Sequence, residues 1–199
     1  TQIIVTVGGS EAIDLALRAL VGPGDEVLVP EPSFVCYKPC TLMTGATPVV
    51  IELEEKDEFK LTPEQLEAAI TDRTKILVFP FPNNPTGAVR DRRDIEKLLP
   101  IIRKHSLIVL SDEIDAELSF AERHVSIASF PGMYERTLVV NGFSKAYAMT
   151  GWRLGFACGP ADLIAVLTRI HQAAIMCAPT TSQYAAIVAM RDCDDEIIK

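Results

Sequence analysis

The sequence has no excess of positive charge. Its 199 residues include 27 acidic and 19 basic side chains, which gives a formal net charge of -8. Nucleic-acid binding depends on clustered lysine and arginine side chains that neutralise phosphates. The charge balance therefore argues against nucleic acid as a partner, and we interpret the acidic excess as a solvated surface.

Long apolar runs are also missing. No stretch approaches the ~20 apolar residues of a membrane-spanning helix, and no basic and then apolar leader opens the chain. The five cysteines show neither CxxC pairing nor a histidine at metal-ligand spacing. We therefore expect no membrane partner, no metal site, reduced thiols and a cytoplasmic location.

What the sequence does contain is an alternation of β-branched runs and helical patterns, without internal repeats or low-complexity linkers. Hydrophobic residues make up 48% of the chain, enough for one sizeable core. The alternation predicts an α/β fold, a three-layer sandwich around a mostly parallel mixed sheet.

Two helix starts carry capping signals. Thr62, Pro63 and Gln65 predict a capping box with proline at the first helical position. Asp91 can cap the next helix, in which Pro100 should produce a kink or an interruption.

The most informative stretch is NGFSKAYAMTGWRLGF, residues Asn141 to Phe156. A strand from Thr137 to Val140 would deliver Lys145 to a turn of small residues. A lysine in a loop is more often a solvated charge than a reactive group. It becomes a nucleophile when it is partly desolvated, lies beside other cations, or is held as a Schiff base with an aldehyde.

The neighbours of this lysine favour the reactive interpretation. Gly142, Gly151 and Gly155 would allow close backbone approach. Ser144 offers a hydroxyl, and Arg153 offers a planar guanidinium that suits phosphate. Together they predict a small site that holds an aldehyde and a phosphate.

A second anion signal lies near the start of the chain. The β-branched run at residues 3–7 leads directly into Gly8, Gly9 and Ser10 and then a helical pattern. A glycine turn at a helix N-terminus directs backbone N–H groups at one point and favours an anion. Alternatively, Ser10 only caps the helix.

Two further apolar runs end in polar residues. Residues 75–80 lead into FPNNPTG, an ordered turn at the carboxyl end of a strand, and Asn84 either binds a ligand there or only shapes the turn. The buried run at residues 107–110 ends in SDEIDAEL. Asp112 there needs a positive partner, because an unpaired buried carboxylate is costly; the alternative, a helix-capping aspartate, is weaker.

These motifs resemble the class I/II aminotransferases, fold-type-I enzymes that use pyridoxal 5'-phosphate (PLP). The resemblance rests on GGS, NNPTG, SDE and FSKAYAMTGWRLG in the family's order, and it covers nearly the whole chain. It implies that Lys145 is catalytic and carries a Schiff base with the cofactor, and that Ser144 and Arg153 bind the cofactor phosphate. Gly9 and Ser10 would form a second side of the phosphate site.

The resemblance also assigns the cofactor ring. Phe34 would stack on the pyridine ring, Tyr37 being the weaker candidate, although aromatic residues at this spacing are more often core. Asn84 would hydrogen-bond the ring oxygen, with a cis peptide bond before Pro85. Asp112 would be catalytic by pairing with the protonated ring nitrogen, which keeps the ring an electron sink.

One position departs from the family pattern. Asp115 stands where the family usually has a tyrosine that hydrogen-bonds the ring oxygen. A carboxylate beside that oxygen would be repelled. Asp115 therefore turns away, or is protonated, or the Schiff base titrates unusually; we predict a Schiff-base pKa above that of an Asp115→Tyr variant.

By resemblance, the parent protein transfers an amino group between an amino acid and a 2-oxo acid and is a homodimer. We expect residues 1–199 to be the PLP-binding large domain, with the N-terminal arm and the C-terminal small domain outside it, and therefore weak or no turnover by this chain alone. Two alternatives stay open. A PLP-dependent carbon-sulfur lyase would use the same cofactor residues, and the sensor domain of a transcription regulator would need a DNA-binding module before Thr1.

Overall fold

A seven-stranded mixed sheet forms the centre of the computed structural model, which describes residues 1–120 and 123–197. The strands are β1 (Ile3–Thr6), β2 (Glu26–Glu31), β3 (Thr47–Glu52), β4 (Thr74–Pro80), β5 (Ile108–Asp112), β6 (Thr137–Gly142) and β7 (Gly155–Cys158). Their order is β1-β7-β6-β5-β4-β2-β3. Strand β7 runs antiparallel to both of its neighbours, and the other pairs are parallel.

Helices cover both faces of this sheet. They are α1 (Gly8–Leu20), α2 (Tyr37–Met43), α3 (Pro63–Ala69), α4 (Arg92–Lys104), α5 (Ala161–Ala174), α6 (Thr180–Asp192) and the four-residue α7 (Asp194–Ile197). Successive residues of a strand point to opposite faces. Accordingly Val27 and Val29 lie in the core cluster of α1, α2 and α5, whereas Leu28 lies in that of α3 and α4. The predicted three-layer α/β sandwich is confirmed.

The capping signals are confirmed, and the interruption of a helix at Pro100 is absent. Thr62 and Gln65 form the reciprocal capping box at the start of α3, and the Asp91 side chain accepts from the Asp94 N–H at the start of α4. Helix α4 is not interrupted at Pro100 but continues to Lys104. Pro100 is exposed, while Ile95, Leu98, Leu99 and Ile102 bury one face. Burial of that face outweighs the one hydrogen bond that a proline removes.

Within the described part of the chain, none of the helices has the length and apolar character required to cross a membrane. Residues 121, 122, 198 and 199 of the predicted domain lie outside the described residues.

Candidate active site

The carboxyl ends of the parallel strands meet at one edge of the sheet, and the predicted site residues converge there. Strands β2, β4, β5 and β6 end at Glu31, Pro80, Asp112 and Gly142. An open cleft of about 190 Å³ follows these ends. Its lining contains every residue that the sequence predicted for the site: Gly9, Ser10, Phe34, Asn84, Asp112, Asp115, Ser144, Lys145 and Arg153. Lys145, Asp112 and Arg153 therefore share one cleft.

Asp112 is a buried carboxylate at the floor of this cleft. It is 5% exposed, and burial raises its pKa to about 6. The Tyr37 hydroxyl donates to Oδ2 at 2.7 Å and the Ile114 N–H donates to Oδ1 at 3.2 Å, and both bonds oppose the rise of this pKa. Among the described residues, no lysine, arginine or histidine forms an ion pair with Asp112. A cation in the cleft would complete its environment.

Tyr37, a buried residue of the cleft lining, supports Asp112. The tyrosine is 1% exposed, and burial, followed by the charge of Asp112, raises its pKa well above the usual value, so it remains the donor. Its ring meets Phe34 edge to face, with 6.1 Å between centroids, and Phe34 is 37% exposed on the cleft side. Phe34 and Tyr37 therefore have different roles. The exposed ring of Phe34 is available for stacking on a ligand, whereas buried Tyr37 positions the Asp112 carboxylate.

The two consecutive asparagines of the NNPTG turn have different contacts. Oδ1 of buried Asn83 accepts from the Thr86 hydroxyl at 2.9 Å and the Thr86 N–H at 3.3 Å. Asn84 is exposed and lines the cleft. The turn is thus shaped by Asn83, a role that the sequence analysis missed although Asn83 is the only other asparagine of the motif. The predicted cis peptide bond between Asn84 and Pro85 is confirmed.

Lys145 lies in a turn directly after β6. The turn is held by backbone hydrogen bonds from the Ala148 N–H to the Lys145 carbonyl and by the Thr150 hydroxyl, which donates to the Ser144 carbonyl at 2.9 Å. Lys145 is exposed to the cleft, and Asp115 lines the same space. Burial raises the pKa of Asp115, and the positive charge of Lys145 opposes that rise.

The anion-binding side of the cleft is the N-terminus of α1. The helix begins at Gly8, and Val7 is its N-cap without a side-chain cap bond, so the alternative in which Ser10 caps the helix is wrong. The Arg153 guanidinium packs against Gly8, where an added Cβ would lie 2.6 Å from Nη2. Free N–H groups of a first helical turn and a guanidinium together form a strong anion site.

Close backbone approach at Gly142 and Gly155 brings the ends of β6 and β7 against the start of α1. A Cβ on Gly155 would lie 2.6 Å from the backbone of both Gly8 and Gly9, and one on Gly142 would lie 2.8 Å from the Gly155 Cα. Strands β6 and β7 thus touch the start of α1 directly. At Gly151 nothing lies within 4 Å, so the expectation for that glycine is wrong.

We expect Gly155→Ala to destabilise the protein by about 2–4 kcal/mol, because its methyl group would displace the first turn of α1. Gly22→Ala is the matched control, since nothing lies within 4 Å of its added Cβ. Denaturant unfolding of both variants checks this prediction. Equal stabilities would show that the backbone yields freely at this contact.

The fold and the cleft belong to a known class of proteins. The profile of the family Aminotransferase class I and II matches residues 1–198, and the chain belongs to that family. It is 46% identical to the putative aminotransferase YugH of Bacillus subtilis over 198 residues, which are 100% of this chain and 51% of that protein. It is 42% identical to the aspartate aminotransferase of Pyrococcus abyssi over 192 residues, 96% of this chain and 49% of that protein.

A solved structure shows the same fold. The aromatic aminotransferase from Pyrococcus horikoshii OT3 superposes with a TM-score of 0.93 at 42% identity, over 96% of this chain and 52% of that one. The chain spans about half the length of the curated relatives it matches.

Proposed function

We propose that this chain is the PLP-binding part of an aminotransferase that moves an amino group between an amino acid and a 2-oxo acid. The observation that carries the proposal is the convergence of Lys145, Asp112 and Arg153 on one cleft in a member of this family. Asp112 comes from a different part of the chain than Lys145 and Arg153, and each of the three suits a different part of one cofactor.

The donor set of the cleft fits pyridoxal phosphate. Buried Asp112 needs a cation, which a protonated ring nitrogen would supply. The first turn of α1 with Ser10, Ser144 and Arg153 offers donors for a phosphate. Asn84 can donate to the ring oxygen, and the exposed face of Phe34 can stack on the ring. When bound, the cofactor supplies an aldehyde carbon that reacts with amines and a ring that accepts electron density.

The chain's own residues would then perform two proton tasks. Asp112 holds the proton on the ring nitrogen, because its buried carboxylate is stabilised by that positive charge. The Lys145 amine, which is exposed to the cleft, would serve as the base and then the acid for the proton of the substrate α-carbon. Tyr37 and the Ile114 N–H keep the Asp112 carboxylate in place during both steps.

The complete protein's remaining properties are proposed on the same basis. We propose that this chain is its large domain, that it forms a homodimer and that it is cytoplasmic. Exposed apolar side chains on and before α6, among them Met176 at 76% and Tyr184 at 70%, support burial against another surface.

The test is the absorbance spectrum of the complete gene product, loaded with PLP, against a panel of amino acids. Addition of a donor amino acid should shift the cofactor spectrum, and a 2-oxo acid should restore it. A carbon-sulfur lyase would instead release ammonia and a thiol without needing a 2-oxo acid. Absence of any spectral response across the panel would contradict the proposal.

Asp115 should leave a signature in the pH titration of that spectrum. A carboxylate in the same cleft as the Lys145 nitrogen stabilises a proton on that nitrogen. We therefore expect the absorbance titration of the loaded wild-type protein to have its midpoint at a higher pH than that of Asp115→Tyr. Asp115→Asn separates charge from shape and should also lower the midpoint. Superimposable titrations would refute a role for this carboxylate.

A further inference from the structure

A buried acid and histidine pair lies just outside the cleft, behind the first turn of α1. His171 of α5 places Nδ1 3.0 Å from Oε1 of Glu11, and the two side chains are only 7% and 16% exposed. A carboxylate only accepts hydrogen bonds, so His171 Nδ1 carries the proton. Neither residue lines the cleft, and the proposed reaction uses neither.

The same carboxylate reaches the turn that opens the anion site. The Val7 N–H donates to Oε2 of Glu11 at 2.5 Å, and the Thr6 hydroxyl donates to the Gly8 carbonyl at 2.9 Å. Glu11 thus connects His171 to the N-cap of α1. The residues that follow this cap, Gly9 and Ser10, line the cleft.

Glu11 is also a potential competitor for the site that it shapes. It is the acidic residue in the first turn of α1, where free N–H groups attract any anion. A carboxylate released from His171 can turn toward these donors, and its charge repels a phosphate. The hydrogen bonds from His171 and the Val7 N–H occupy its two oxygens and keep it away from these donors.

We propose that His171 is a positioning residue for the phosphate-binding turn, acting through Glu11. The proposal rests on the proposed function, because the ligand concerned is the phosphate ester of the cofactor. A purely architectural role, joining α5 to α1, would affect folding but would not distinguish ligands with a phosphate from those without.

The experiment compares pyridoxal phosphate with pyridoxal, which lacks the phosphate, by fluorescence titration of the cofactor-free complete gene product. We expect His171→Ala to weaken binding of the phosphate ester about fivefold, the effect of one hydrogen bond of ~1 kcal/mol, and to leave pyridoxal binding unchanged. His171→Asn should restore the affinity, because its amide nitrogen can replace Nδ1 as the donor. In a Glu11→Ala background, His171→Ala should add no further loss.

Leu167→Ala is the matched control. Leu167 is fully buried on the same helix, one turn earlier, in the core cluster that α5 shares with α1. It should lower the melting temperature without changing the ratio of the two affinities. If His171→Ala does not fold, His171→Leu, which fills the space without offering a donor and keeps Glu11, carries the same comparison of ligands.

The outcomes separate the two proposals. An unchanged affinity ratio in His171→Ala, or an equal loss for both ligands, overturns the positioning role and leaves the proposed function intact. A wild-type protein that binds neither compound overturns both. Increased hydrogen exchange at the Val7 amide in His171→Ala would add support that does not depend on any ligand.

Discussion

Replacing Lys145 with alanine is expected to abolish amino-group transfer, with a loss of about 10⁴-fold or more in the rate of the half-reaction, because the variant loses both a covalent and a proton-transfer group. The lysine lies in a turn whose backbone is held by neighbouring residues rather than by its own side chain. The fold should therefore be retained. Stopped-flow absorbance of the complete gene product, loaded with PLP and mixed with a donor amino acid, measures the rate.

Two controls assign this loss to the amine. Lys104→Ala removes an exposed lysine that pairs with Glu67, far from the cleft lining, and should be fully active. Addition of a small primary amine such as methylamine should restore part of the rate to Lys145→Ala, because the missing side chain leaves room for it. Borohydride reduction should attach the cofactor covalently to wild-type Lys145 only. A Lys145→Ala protein that retains most of its rate would disprove the assignment.

The sequence predicted the residues that line the cleft better than it predicted the residues that hold them in position. Asp112 ends a strand, and Asn84 and Lys145 follow one. Parallel strands bring their carboxyl ends to one edge, so local patterns were enough to bring these residues together. The alternation of strand and helix patterns likewise predicted the three layers. The hydrophobic periodicity and the direction of the chain decide both features, and a single sequence shows both.

The supports depend on tertiary contacts that no local pattern contains. Tyr37 meets Asp112 across 75 residues of sequence, and His171 meets Glu11 across 160. Pro100 was expected to kink or interrupt α4; the helix is not interrupted, because Pro100 lies on its exposed side and the opposite face is well buried. Gly155 and Gly151 look alike in sequence, and only the packing of β7 on α1 distinguishes them.

Asp112→Asn is expected to reduce the half-reaction rate roughly 10²- to 10³-fold, because the variant leaves a protonated ring nitrogen without its buried partner. The asparagine oxygen can accept from the Ile114 N–H while its NH2 group donates to the Tyr37 oxygen, so both contacts can be kept. Tyr37→Phe is the matched control: it keeps the carboxylate and removes one hydrogen bond, and should cost much less. Equal losses in the two variants would show that geometry matters here and charge does not.

Asp112→Asn, which should lower the rate of the loaded enzyme, should raise the stability of the cofactor-free protein. Burial raises the pKa of Asp112 to about 6 from the ordinary aspartate value of 3.8, so the folded state binds more protons than the unfolded chain between these two values. Stability therefore falls as the pH rises through this window, and the deficit is complete above pH ~6 at about 3 kcal/mol. Asparagine carries no charge, so Asp112→Asn should be more stable than wild type at pH 8 by up to that amount.

The gain should shrink as the pH falls from about 6 to about 4 and should disappear when the wild type is loaded with the cofactor, whose ring nitrogen compensates the carboxylate. Thermal melting of both proteins, with and without cofactor, measures all four states. A variant that is less stable than the wild type at pH 8 without cofactor would mean that the carboxylate already has a cationic partner. The cleft would then not depend on a ligand for the charge that Asp112 needs, and the central argument for a positively charged ring in this position would be lost.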